Sequence, residues 1–207
     1  MNFGRLLGIV VCFAGAAMSR AQQDMFHRPS PFAGTSILTL AVFDEVRLEL
    51  KTSPEVNAKE DGLLVNLQRD VQESMRTGKG DLAAQRPAIA KINDKFDDEC
   101  LKLLSDEQAK RLKQLFVQYN GGNAITNGII ARDLVITDEE KVKIQQLQDE
   151  STKKVRGLFD QGLSPAEMRD ERAKLREQLK TDLEKVLSIE QLAKFKAMVG
   201  TKFVFKG

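Results

Sequence analysis

The chain has 207 residues, of which 30% are charged, and its formal net charge is only +2. This near balance does not favour a nucleic-acid partner, because binding to phosphates requires a basic surface. One histidine and two cysteines also argue against a disulfide-rich scaffold and against a metal site built from clustered His and Cys. The length allows one large domain or two small ones.

The first 21 residues have the organisation of a secretory signal peptide. A short basic start is followed by an apolar run over residues 6–18, and small residues precede a predicted cleavage site between Ala21 and Gln22. The alternative is a core helix or a membrane anchor, but the run is short for a membrane span. We therefore predict a periplasmic or secreted bacterial protein, with no stable membrane insertion after processing. Cleavage would remove two arginines and no acidic residue, which leaves a neutral mature chain.

Residues 22–35 contain two prolines and the single histidine, His27, and are predicted to form a flexible segment. A short helix is then expected, with apolar residues at Ile37, Leu40, Ala41 and Val46. Ser53 followed by Pro54 predicts the start of a long amphipathic helix, because proline is well tolerated at the first helical position. Gly78 predicts the end of that helix.

The next predicted helix carries Cys100, the only cysteine left after cleavage. Phe96, Cys100 and Leu103 fall on one helical face, which predicts a small buried side chain at Cys100. The alternative is an intermolecular disulfide across a dimer. No disulfide can form within the mature chain, so the core must hold the fold.

A five-residue motif, Leu-Ser-x-x-Gln, occurs at residues 104–108 and again at 187–191. In each copy the serine is predicted to cap a helix, and the glutamine to reach back to the N–H of that serine, which defines a capping box. A third, imperfect copy has threonine as the cap and glutamate in place of glutamine. The residues assigned to the motif are Leu104, Ser105, Gln108, Thr137, Glu140, Leu187, Ser188 and Gln191.

The two complete motifs lie 83 residues apart, and the caps of the preceding long helices, Ser53 and Thr137, lie 84 apart. This spacing predicts two tandem repeats of about 84 residues, which cover 36–120 and 121–207. No stretch has the pattern of a convincing strand. We predict an all-α protein with elongated antiparallel helical hairpins in two repeat units.

No catalytic, cofactor-binding or metal-binding residue is predicted, and the protein is not expected to be an enzyme. The acidic run Asp97-Asp98-Glu99 is interpreted as a solvated helix face, because consecutive helical positions point in different directions. Phe203 and Phe205 are placed in a flexible C-terminal end, from which they could bind a client or pack onto a partner subunit.

The signal peptide, the helical hairpins and the motif at 104–108 and 187–191 together resemble the LTxxQ-motif proteins of the Spy/CpxP superfamily. The duplicated pattern is also similar to secreted helical proteins of planctomycete-type bacteria. The resemblance implies a bacterial envelope protein that acts as an ATP-independent chaperone, an envelope-stress modulator or a metal sensor, often as a homodimer.

From this resemblance we expect a non-catalytic protein that needs no cofactor and binds unfolded clients or partner proteins through apolar helix faces. Whether it forms a homodimer stays open. One alternative is a structural or scaffold protein of the envelope with one dedicated partner. A metal-responsive sensor is a less favoured alternative, because the chain has only one histidine.

Overall fold

In the computed structural model, the described residues are 36–78 and 82–205. They contain nine α-helices, one 3-10 helix and no β-strand, so the prediction of an all-α protein is confirmed for this part of the chain. The predicted signal peptide, with Ala21 and Gln22, and the segment 22–35 lie outside the described residues. The helices are α1 (Ile37–Ala41), α2 (Asp44–Leu50), α3 (Pro54–Thr77), α4 (Leu82–Leu101), α5 (Asp106–Asn120), the 3-10 helix (Gly121–Thr126), α6 (Gly128–Asp133), α7 (Asp138–Phe159), α8 (Pro165–Val186) and α9 (Ile189–Ala197).

Serine–proline pairs start two of the long helices. Ser53 Oγ accepts a hydrogen bond from the N–H of Val56, and Pro54 is the first residue of α3. Ser164 precedes Pro165 in the same way and forms a capping box with Glu167 at the start of α8. The serine oxygen satisfies a backbone donor that has no partner inside the helix, and proline has no N–H to satisfy.

The long helices pack in two pairs, α3 with α4 and α7 with α8. The first pair is antiparallel: Ser74, near the end of α3, donates to Gln85, near the start of α4, at 3.0 Å. Asp70, one turn earlier in α3, faces Lys95, further along α4. In the second pair, Leu147 of α7 and Leu179 of α8 line the same crevice.

Most of the buried apolar side chains form one cluster, and the short helices contribute a large share of it. Helices of five to seven residues are not stable alone, because helix nucleation is unfavourable. Burial of each Leu, Ile or Phe side chain stabilises the fold by about 2 kcal/mol, so the cluster holds these short helices in place. Its largest fully buried apolar members include Ile37, Leu38, Leu112, Leu115, Phe116, Ile125, Ile130, Leu134 and Leu183. All described residues belong to one compact unit.

The first predicted helix is in fact two helices, α1 and α2, which a turn at Val42 and Phe43 separates. Phe43 has an extended backbone, with φ −70° and ψ 130°, and serves as the N-cap of α2. Its ring packs edge-on against Tyr119 of α5, with 6.0 Å between the ring centroids. The apolar spacing of residues 37–46 fits a single helix. The helix is interrupted at Phe43, where the extended backbone places the ring against α5.

The placement of Phe203 and Phe205 in a flexible end is wrong. Both rings are partly buried against the core cluster, and Phe205 stacks edge-on with Tyr119 at a centroid distance of 5.1 Å. Gly200 turns the chain back towards α5, with φ +63°, a conformation that favours glycine.

Candidate functional site

The first motif starts α5 and ties it to the end of α2. Ser105 Oγ accepts from the N–H of Gln108 at 3.3 Å, and Gln108 Oε1 accepts from the N–H of Ser105 at 3.0 Å. Gln108 Nε2 also donates to the carbonyl of Leu50, the last residue of α2, at 2.9 Å. Leu104, which precedes the cap, packs against the core. Glutamine therefore has a role that glutamate could not fill, because only the amide carries a donor.

The second motif makes the same bonds at the start of α9. Ser188 Oγ accepts from the N–H of Gln191 at 3.2 Å, and Gln191 Oε1 accepts from the N–H of Ser188 at 2.8 Å. Gln191 Nε2 reaches the carbonyl of Val135 at 3.2 Å and Glu140 Oε2 at 3.0 Å. Leu187 is buried in the core.

The third motif copy meets the second. Thr137 Oγ1 accepts from the N–H of Glu140 at 3.2 Å, and Glu140 Oε2 accepts from the N–H of Thr137 at 2.8 Å. Gln191 donates to that same carboxylate oxygen. Desolvation acts to raise the pKa of Glu140, but the hydrogen bonds from Gln191 and Thr137 outweigh it and hold the pKa below its ordinary value.

Both glutamines bind at helix ends that have a left-handed residue. Lys51 follows α2 with φ 53°, and Val135 follows α6 with φ 56°. The N–H that follows each left-handed residue bonds back into the helix, from Thr52 to Arg47 at 3.3 Å and from Ile136 to Ala131 at 2.9 Å. This is the Schellman pattern, whose left-handed position is usually glycine. A β-branched residue in this conformation is strained, so the presence of valine at position 135 indicates a role other than stability.

Exchanging the motif glutamine for glutamate should separate its two roles. The carboxylate introduced by Gln191→Glu could still accept from Ser188, but it would lose the donated bonds and repel Glu140. We expect Gln191→Glu to lower the free energy of unfolding by about 2 kcal/mol and Gln108→Glu by only about 1 kcal/mol, because Gln108 donates to a carbonyl. Urea unfolding at pH 7.5 followed by circular dichroism measures both. An equal or larger effect at Gln108 would contradict this account.

A surface groove of about 620 Å³ lies between α4, α6 and α7. Its floor is apolar and includes the buried side chains of Ile125, Ile136 and Ile144. Polar residues at its sides include Arg132, Lys141, Gln145 and Gln148. A groove of this size with an apolar floor and few polar groups has the general character of a binding site.

Asp94 forms one wall of the groove, and its carboxylate accepts a hydrogen bond from the N–H of Gly128, at the start of α6. A Cβ atom on residue 128 would clash with the Asp94 carboxylate, so any larger residue there would displace that side chain. Burial raises the pKa of Asp94, although the positive charge of Arg132 and the bond from Gly128 oppose this rise.

Two large apolar side chains are exposed on the two segments that the Gln191–Val135 bond joins, and we call them the apolar patch: Val135 and Ile189. Val135 lines the groove and is 73% exposed, and Ile189 is 84% exposed in the first turn of α9. The bond from Gln191 to the Val135 carbonyl brings the start of α9 to the α6–α7 turn. Ile189 lies within the second motif copy, and Val135 immediately precedes the third.

The interpretation of Asp97-Asp98-Glu99 as a solvated face is wrong for Asp97, which is completely buried. Asp97 Oδ1 accepts from Ser36 Oγ at 2.7 Å and from the N–H of Leu38 at 3.0 Å, and Oδ2 accepts from Asn127 Nδ2 at 2.7 Å. Burial raises the pKa of Asp97, and these donors offset part of the rise. The carboxylate caps α1 in place of the Ser36 side chain, which makes no capping bond.

Asn127 links this carboxylate to α6. Its Oδ1 accepts from the N–H groups of Ile129 and Ile130, at 3.0 and 3.3 Å, as the N-cap of α6. Its Nδ2 donates to Asp97. The starts of α1 and α6 are therefore both attached to α4 through one buried carboxylate.

A second buried acid, Glu60, lies in α3. Its Oε2 faces Arg47 Nε at 3.4 Å, and its Oε1 has no hydrogen-bond partner. Desolvation is the main cause that raises the pKa of Glu60 to about 7, although Arg47 opposes it. Cys100 is a buried free thiol, as its helical face predicts, and burial raises its pKa. A thiol inside the core is not accessible to a second chain, which disfavours the intermolecular disulfide.

Sequence reasoning did not identify Asp94, Asp97, Glu60 or Val135. The only local signal for this region is the Asn-Gly pair at 127–128, which is typical of a turn and was open to interpretation as a helix cap. Within residues 36–78 and 82–205, no group of three or more His, Cys, Asp and Glu side chains is arranged to hold a metal ion. In the same ranges, no helix combines the length and the apolar character that crossing a membrane demands.

Comparisons with known proteins give no match: no protein-family model fits the chain, and no curated protein or solved structure is significantly similar to it.

Proposed function

We propose that the protein is a non-catalytic binding protein of the bacterial envelope, with a Spy/CpxP-like chaperone or stress-adaptor role. It binds apolar segments of unfolded or partner proteins at the groove and the apolar patch. The observation that carries this proposal is the exposure of Val135 in a strained left-handed conformation at the edge of an apolar groove. Strain of this kind is concentrated at functional positions, because a fold selected for stability alone would relieve it.

The chemistry of the groove favours a protein segment as the occupant. The floor offers isoleucine side chains, and Val135 extends this apolar surface at the edge of the groove. The cations at its sides already have acidic partners: Arg132 lies 2.7 Å from Asp98, and Lys141 lies 2.8 Å from Asp138. The groove therefore offers apolar area and amide side chains, which suit an apolar stretch of polypeptide better than a charged small molecule.

We also propose that residues 36–120 and 121–207 are two copies of one helical unit. Paired features support this proposal. Lys51 and Val135, 84 positions apart, are the non-glycine residues with positive φ among the described residues. Gln108 and Gln191 bind carbonyls at the two corresponding helix ends. Each half contains a pair of long helices that pack together, and the first helix of each pair has an N-cap: Ser53 begins α3 of the pair α3–α4, and Thr137 begins α7 of the pair α7–α8.

A Val135→Gly variant should be more stable than the wild type and bind clients less well. Glycine adopts positive φ without strain, so we expect the free energy of unfolding to rise by about 1 kcal/mol. The loss of the exposed side chain should weaken suppression of client aggregation. The measurement is light scattering of a reduced or heat-unfolded client, mixed with residues 22–207 at about equal molar amounts, beside urea unfolding of each variant.

Lys51→Gly is the matched control, because Lys51 has the same backbone conformation at the end of α2 and does not line the groove. It should leave suppression unchanged. Equal suppression by wild type and Val135→Gly would remove the patch from the mechanism. No suppression by a well-folded wild type would refute the chaperone role, and a dedicated envelope partner would then be sought by cross-linking. A thermal shift with zinc or copper alone would favour the metal-responsive alternative.

A further inference from the structure

The C-terminal segment, residues 199–205, is held on α5 by side chains that bind its backbone. Gln118 Nε2 donates to the carbonyls of Val199 and Thr201, at 2.6 and 2.8 Å. Gln118 Oε1 accepts from the N–H of Phe203 at 2.8 Å. Arg111, two turns earlier on α5, donates to the same Thr201 carbonyl at 2.8 Å. The Gln118 side chain thus both donates hydrogen bonds to the main chain of this segment and accepts one from it.

The side chains of the segment alternate in exposure. Val204 is 71% exposed, whereas Phe203 and Phe205 pack against the core cluster on either side of it in sequence. The two phenylalanine rings meet edge-on at a centroid distance of 4.9 Å, and Phe205 meets Tyr119 at 5.1 Å. Tyr119 in turn meets Phe43 at 6.0 Å. Such alternation is that of an extended segment that presents every second side chain to a surface.

The way in which the C-terminal segment is attached to α5 would allow another peptide to replace it. In the described part of the chain, the backbone from Gly200 to Phe205 makes no hydrogen bond to other backbone groups. The bonds from Gln118 and Arg111 to its carbonyls are exposed to solvent. Segments whose hydrogen bonds are exposed to solvent open locally at a small fraction of the total stability.

We infer that Phe43, Tyr119, Gln118 and Arg111 form a peptide-binding site, which the chain fills with its own Phe203-Val204-Phe205 segment. We expect the partner to be an extended peptide segment with two aromatic residues separated by one residue, because the segment that now occupies the site has this pattern. Main-chain hydrogen bonds supply affinity, and the aromatic contacts supply specificity, as in other modes of extended-peptide recognition. The site is on α5 and does not depend on the groove or on the function proposed for it.

The test uses the full mature chain and a labelled peptide of the sequence of residues 201–205, Thr-Lys-Phe-Val-Phe. In a Phe203→Ala/Phe205→Ala double variant the rings no longer cover the site, so the peptide should bind saturably. The wild type should bind it about tenfold or more weakly, because its own segment competes at a high effective concentration. Val204→Ala is the matched control: it changes an exposed side chain of the same segment and should behave as the wild type.

Two further measurements identify the site. Adding Gln118→Ala to the double variant should weaken peptide binding by about tenfold, through loss of the main-chain bonds. The chain has one tyrosine and no tryptophan, so its intrinsic fluorescence comes from Tyr119. Acrylamide should quench Tyr119 more in the double variant than in the wild type, and the peptide should reverse that gain.

The inference would be overturned if a helical, cooperatively unfolding double variant bound no peptide, or if the wild type bound it equally well. A peptide with alanine at both aromatic positions must not bind. If the double variant does not fold, Phe205→Ala alone is tested in the same way. Unchanged Tyr119 quenching in that variant would also overturn the inference.

Discussion

Asp97→Ala is expected to lower the free energy of unfolding by about 4 kcal/mol, the largest effect of any single change considered for this chain. The substitution removes the acceptor of the Leu38 N–H and of Asn127 Nδ2, and both donors stay buried. A buried donor without a partner costs about 1–3 kcal/mol, and here at least two are left. Urea unfolding followed by circular dichroism at 222 nm measures the change.

Asp98→Ala is the control for this prediction, since Asp98 is the next residue and forms a partly exposed pair with Arg132. Its expected cost is below about 1 kcal/mol, as for other surface ion pairs. Comparable losses in the two variants would mean that Asp97 does not organise the starts of α1 and α6. Asp97→Asn should fall between them, because its amide keeps one acceptor oxygen.

Glu60→Gln should remove a dependence of stability on pH between about 5 and 8. The pKa of Glu60 is about 7 in the folded protein and 4.5 ordinarily, so the folded state binds its proton more tightly. Stability is then highest below pH 4.5 and falls as the pH rises towards and through 7. The total loss from this group is on the order of 3 kcal/mol. We expect the variant to be more stable than the wild type at pH 8, and this advantage to vanish at pH 5.

Denaturant unfolding at pH 5, 6, 7 and 8 measures both proteins. Glu73→Gln is the matched control, because Glu73 lies on the same helix in an exposed pair with Arg76. It should keep the wild-type slope. The acids whose pKa values are lowered, such as Glu140 and Glu167, act with the opposite sign and below this range. A Glu60→Gln curve parallel to that of the wild type would show that Glu60 is ionised throughout.

Helix type and helix starts could be predicted from the sequence because both depend on local spacing. Ser53 and Ser164, each before a proline, are enough to locate the first turns of α3 and α8. The break between α1 and α2 could not be predicted, because it depends on the contact of Phe43 with Tyr119, far along the chain.

The candidate site was hidden for the same physical reason. Within the motif, spacing places the capping bonds, which span three residues, but the other partners of Gln108 and Gln191 lie 58 and 56 residues away. Helical periodicity assigns Asp97 to a polar run beside Phe96. Its burial depends on Ser36 and Asn127, which are distant in sequence and pack against it in the fold. Nothing in the local sequence indicates a left-handed conformation for Val135, because that position favours glycine.

The bonds to Asp97 also determine how far this protein can be divided. Its donors, Ser36 and Asn127, lie 61 and 30 residues away along the chain, one on each side. Asn127 belongs to the second proposed unit, whereas Ser36 and Asp97 belong to the first. A fragment that ended at residue 120 would lack the Asn127 side chain that completes this buried cluster. As the polypeptide emerges with its N-terminus first, the first unit must therefore wait for the beginning of the second before its interior is complete. We therefore expect that a cut between the two proposed units would leave the first one incomplete.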